Sequence, residues 1–200
     1  MTIARFFSFL FHPLIMPLVG VIILLQAISW MGMLGWEIKL NIYLIVIIST
    51  LLLPMLSGPL LKSKKIITDY FMPTAEERKV PLLLASLLYM VGAFILQRIH
   101  VPLIFPLFIN SSSLVILLCA LISWKWKISS HMAILAGLVG LVLAISLKWM
   151  MDLRLILGIL IFVSGVTGWA RLKLGTHTPA QVYAGFGLGF TVVFLIVRFI

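Results

Sequence analysis

The chain is divided into long apolar runs that carry no charge at all, including residues 13–36, 40–61, 103–123 and 179–197. A bilayer core is matched by roughly 20 apolar residues per helix. Lipid offers no partner for backbone N–H and C=O groups, so only helices or a closed barrel can cross it. Barrel strands alternate apolar and polar residues, whereas these runs are continuous. They therefore predict an all-α, polytopic integral membrane protein, a single membrane domain over residues 1–200. Composition agrees: 63% of residues are hydrophobic and 10% charged, against an apolar share nearer half in soluble domains.

The boundaries predict seven spans. They run from about Pro13 to Trp36, Leu40 to Leu61, Pro81 to Gln97, Leu103 to Ser123, Ser130 to Met150, Leu153 to Ala170 and Pro179 to Ile200. The third is short enough to be tilted or only partly embedded, which gives six as the alternative number. With seven crossings, parity puts the N-terminus, the 62–80 loop, the 124–130 turn and the 171–178 turn on one face. That face holds Arg5, Lys62, Lys64, Lys65, Arg78, Lys79, Lys125, Lys127, Arg171 and Lys173. The other holds Lys39, Arg98, Lys148, Arg154 and Arg198. Positive charge favours the cytoplasmic side, but Arg78, Lys79, Lys125, Lys127 and Arg171 are also candidate site residues. Setting them aside leaves the faces equal, so charge does not orient the chain. For a bacterial source the expected location is the inner membrane.

The net charge of +10 in a chain so largely inside lipid predicts anionic headgroups or a phosphorylated substrate as partners, not nucleic acid. Cys119 is the only cysteine, which excludes an intramolecular disulfide and a cysteine metal cluster. No ligand spacing suggests a metal, and no cofactor is expected. The N-terminal run continues past Pro13 and Pro17 without a small-residue cleavage site, so it reads as a span, not a signal peptide. Trp30, Trp36, Trp124, Trp126, Trp149 and Trp169 fall at predicted interfaces, as an aromatic belt would. Gly185 and Gly189, four apart in the last span, predict close helix packing.

The strongest chemical signal is the stretch from Ala170 to Gln181, in which Arg171 and His177 bracket Gly175 just before a helix begins. Thr178 suits an N-cap and Pro179 the first helical position. The orphan N–H groups and positive dipole end of that helix favour an anion. Arg171 offers a planar, permanently charged fork suited to phosphate, and His177 a nitrogen able to attack phosphorus. A second signal is Ser129-Ser130-His131 at the start of the fifth span, preceded by Lys125 and Lys127. The plainer reading of either histidine is a helix-end or headgroup contact. A helical hairpin separates the two signals and so returns them to one face. His12 and His100 lack such a context and read as interfacial residues.

In these positions the sequence resembles the type-2 phosphatidic acid phosphatase superfamily, which includes the vanadium haloperoxidases. Arg171, Gly175, His177 and Pro179 fall in register with the family's last signature, and Ser129 and His131 match its middle one. The resemblance covers residues 103–200 and implies a phosphatase-like helical core there. It implies His177 as a nucleophile forming a phosphohistidine and His131 as the group that protonates the leaving oxygen. Arg171 with the Ser129 and Ser130 amides would hold the phosphoryl oxygens, without a metal.

Three departures accompany the resemblance. Ala170 stands where the family has serine. Gln181 stands where it has an aspartate that orients the nucleophile; glutamine accepts a hydrogen bond but brings no charge. Thr178-x-x-Gln181 also fits a capping box, so Gln181 has two candidate roles. The family's first signature is missing, with Arg78 and Lys79 as candidate substitutes and Lys125 and Lys127 as further phosphate anchors. The plainer reading of the charged 62–79 stretch, and the favoured one, is a solvated or headgroup-binding surface. The leading expectation is a membrane lipid phosphatase, or a phosphotransferase using the same phosphoenzyme. Its substrate would be a lipid phosphate or isoprenoid diphosphate. The alternative is a non-catalytic protein of the same fold that binds or transports a lipid or anion. A small channel is disfavoured because the predicted spans hold no acidic residue or basic relay, which intramembrane ion paths often show.

Overall fold

A computed structural model of the protein describes residues 3–70, 72 and 74–200, and among these the chain is helical with no strand. The elements are α1 (Ile3–Leu10), α2 (Met16–Ala27), α3 (Ser29–Gly32), α4 (Trp36–Val46), a π-helical turn (Ile47–Leu52), α5 (Leu53–Ser63), α6 (Ala75–Arg98), α7 (Ile104–Ile122), α8 (Ser130–Trp149), α9 (Arg154–Lys173) and α10 (Pro179–Phe199). The π turn joins α4 and α5 into one helix, Trp36–Ser63. It lies where Pro54, lacking an N–H, cannot bond the Thr50 carbonyl. Leu53 N–H reaches back five residues to the Ile48 carbonyl instead. With α6, α7, α8, α9 and α10, this makes six helices long and apolar enough to cross a membrane.

Six is the alternative number, but the short member is the first segment, not the third. The third begins at Ala75 rather than at Pro81. Thr74 caps it by accepting a hydrogen bond from Glu77 N–H at 3.3 Å, a start signal that outweighs the bond lost at Pro81. The first segment is broken: Ile28 is extended, with φ −107° and ψ 105°, and α2 alone spans only about 18 Å. It still runs the length of the bundle. His12, before α2, packs on His131 at the start of α8, with ring centroids 5.4 Å apart. Trp30, beyond α2, packs on Trp149 at the end of α8 at 6.2 Å.

Helix α8 is the centre of the molecule and is buried along nearly its whole length. Its main partner is α10, and the two backbones meet through glycine. A β-carbon at Gly185 would stand 2.5 Å from the Ser129 carbonyl, and one at Gly140 2.6 Å from the Phe190 carbonyl. A β-carbon at Gly189 would collide with Ala133. The close packing expected of Gly185 and Gly189 is therefore present, and it draws the start of α10 against the start of α8.

Candidate functional site

The site is built where three helices, α6, α8 and α10, start and one, α9, stops. Helix α9 ends in a Schellman motif: Thr176 N–H bonds the Arg171 carbonyl at 3.2 Å and Gly175 N–H bonds the Leu172 carbonyl at 3.0 Å. This closure needs a left-handed residue, supplied by Gly175 with φ +63°. Arg171 lies in the last turn of α9 and is buried. His177 follows the motif, also buried, and Thr178 then caps α10 with a complete capping box.

Gln181 fills both of its expected roles with one oxygen. Its Oε1 accepts from Thr178 N–H at 3.1 Å and lies 3.2 Å from His177 Nδ1. An oxygen can only accept, so the proton of the neutral imidazole belongs on Nδ1. The lone pair then lies on Nε2, which is 3.4 Å from Arg78 Nη1. Burial, followed by the charges of Arg78 and Arg171, lowers the His177 pKa to about 3, against the opposing hydrogen bond of Gln181. The ring is neutral at neutral pH.

Arg78, on the first turn of α6, is buried, and its Nε donates to the Met72 carbonyl at 3.1 Å. Arg171 Nη1 donates to Ser8 Oγ at 2.8 Å, while its Nε is buried without a partner. Neither arginine forms an ion pair with a carboxylate among the described residues. Ser129 occupies the N-cap position of α8 but makes no capping bond, its hydroxyl being buried and unpartnered. Its amide is committed to the Gln181 carbonyl at 3.3 Å. That corrects the expectation of two free amides, because the bond that ties α8 to α10 consumes the Ser129 N–H. Ser130 begins α8, where first-turn amides lack intrahelical acceptors.

His131 lies within electrostatic reach of Arg171, His12, Arg78 and His177. Lys127 joins the group: burial first, then the Arg78 and Arg171 charges, lower its pKa. Two expected anchors are not brought in. Lys79 pairs with Glu76 at 2.9 Å, since one step along a helix turns a side chain by about 100° away from Arg78. Lys125 is exposed in the 123–129 turn.

Two neighbours of the site were not expected from sequence. Ser8 contacts Arg171 from α1, and His12 packs on His131. The available signal was parity, which had already placed the N-terminus on this face. His100 lies in the turn after α6, at the other end of that helix from Arg78, consistent with no role here. Among the described residues no group of three or more His, Cys, Asp or Glu side chains could hold a metal. No family model, curated protein or solved structure matches this chain.

Proposed function

We propose that the protein is a membrane lipid phosphatase, or a phosphotransferase with the same intermediate, acting on a lipid phosphate or isoprenoid diphosphate. The observation that carries this reading is the pair of buried arginines, Arg78 and Arg171, which have no carboxylate ion-pair partner among the described residues and act on a neutral His177. Buried cations are costly unless paired, and an entering phosphoryl group supplies the missing anion. It also supplies acceptors for Arg171 Nε and the Ser129 hydroxyl, both buried and unpartnered.

In the proposed reaction His131, neutral at rest, takes up the proton that the bound phosphate monoanion carries. His177 Nε2 then attacks phosphorus as the P–O ester bond breaks, and the departing oxygen takes that proton from His131. The phosphohistidine is then hydrolysed by water, His131 accepting the proton. Splitting the displacement in two lowers each barrier, and one imidazole alternates as acid and base. Arg78, Arg171 and Lys127 offset the charge on the transferring group. The substrate tail would lie among the helices, reached by diffusion in the bilayer, with the cell membrane as the proposed location.

Purified protein is tested for phosphate release from lipid monophosphates and diphosphates, beside His177→Ala and His131→Ala. The expected outcome is turnover in the wild type, loss of about 10³-fold or more in His177→Ala, and an acid-labile phosphohistidine trapped from labelled lipid. Full activity in both variants would eliminate the mechanism. A second reading rests on Gln181, which orients His177 without a charge to stabilise an imidazolium. It makes the chain a binder or carrier of the same lipid anion. Saturable binding without turnover or phosphohistidine would favour it.

A further inference from the structure

The N-terminal segment enters the site at two points. Ser8 of α1 accepts from Arg171 at 2.8 Å, and α1 packs along α9. Four residues later His12 stands against His131, centroids 5.4 Å apart and planes at 80°. This edge-to-face arrangement restricts how an aromatic ring can turn. The His12 ring is itself fixed, because its Nδ1 accepts Leu14 N–H at 3.3 Å. An accepting Nδ1 leaves the proton of the neutral ring on Nε2. Burial, then the Arg171 charge, lowers the His12 pKa and keeps the ring neutral.

We propose that His12 is a positioning residue of the site, holding the His131 imidazole in one orientation and one tautomer through its ring contact. The proposal rests on the phosphatase reading for its consequence, since His131 is there the acid and base. Its physical content stands independently. The N-terminal segment, which lies outside the stretch resembling a phosphatase, becomes part of the working site. Arg171 from α9, Arg78 from α6 and His177 before α10 are the other charged or titratable groups around this ring pair, and Lys127 before α8 acts on His177 rather than on the pair itself.

The test compares wild type, His12→Ala and His12→Phe in detergent micelles or nanodiscs. Phe keeps an aromatic ring but loses the Leu14 bond. At pH 7, ring ¹⁵N spectra assigned with His131→Gln report the His131 tautomer. The expected result is one tautomer in wild type, a mixture in His12→Ala and return toward wild type in His12→Phe. In turnover of a lipid phosphate, His12→Ala is expected to lose about 10-fold in kcat with KM within about 2-fold, and His12→Phe about 3-fold. A His131 spectrum unchanged in His12→Ala overturns the proposal, even where phosphatase activity is present. The tautomer shift in a wild type that releases no phosphate retains the proposal and removes the phosphatase reading. A raised KM at unchanged kcat would overturn it in favour of direct substrate contact.

Discussion

Gln181 Oε1 serves a helix cap and a histidine at once, so substitutions there separate stability from chemistry. Gln181→Glu keeps the reach to Thr178 N–H and His177 Nδ1 and adds a charge that stabilises an imidazolium. The expected outcome is a turnover gain of about 10-fold or more, since the reverse change in hydrolytic triads is severe. Gln181→Leu removes both bonds and is expected to cost about 1 kcal/mol of capping energy together with most of the activity. Stopped phosphate-release assays and thermal melts distinguish the two. His177 gives a pH prediction with a defined sign. Its folded pKa of about 3 lies below the ordinary value of 6.5, so between those values the unfolded chain binds the extra proton. Its contribution to stability is present above about pH 6.5 and is lost as pH falls toward 3. Melts from pH 7 to pH 4 should show a decline that is shallower in His177→Gln.

At the level of elements, the site depends on α8 and α10 lying almost backbone to backbone. Gly189→Ala is expected to push the helices apart, lower the melting temperature by several degrees and strain the Ser129–Gln181 bond; a core overpacking of this kind costs about 1–3 kcal/mol. Gly187, on the same helix with open space around it, is the control. Gly187→Ala should leave melting and turnover unchanged. A Gly189→Ala protein as stable and active as wild type would show that the close approach is not needed. Helix α6 illustrates what a boundary error costs. Starting it at Pro81 puts Arg78 in a loop, whereas the Thr74 cap makes Arg78 a helical residue facing the core and turns Lys79 toward Glu76.

For the whole molecule, the contacts of His12 with His131 and Trp30 with Trp149 give seven traversals of the bundle, six of them by long helices. Ser8, Arg78, Lys127, Arg171 and His177 consequently share one end, and Met150 lies at the other, 89% exposed. The single native cysteine, Cys119, is fully buried and gives little background for thiol labelling. Lys125→Cys and Lys64→Cys are therefore expected to react with an impermeant maleimide from the same side of sealed vesicles, and Met150→Cys from the opposite side. Labelling of Lys64→Cys and Met150→Cys from one side would contradict the topology. The same experiment fixes which face is cytoplasmic, which balanced charges leave open.

Hydrophobic patterning by itself determined that the chain is helical and membrane-embedded, because lipid admits no other continuous apolar structure. With seven crossings it also predicted that residues near 78, 131, 171 and 177 would meet on one face, although the choice between six and seven crossings needed the tertiary contacts of the first segment. The cap, turn glycine and histidine between Arg171 and Gln181 were legible because each is a local preference of a few neighbouring residues. Tertiary structure alone decided the rest. Which of two adjacent cations, Arg78 or Lys79, enters the site depends on helical phase against a packed neighbour. The Ser129 amide is consumed by a carbonyl 52 residues away, and His12 gains its role from a ring 119 residues further along the chain. Such contacts arise from the docking of helices, for which no pattern in the local sequence exists.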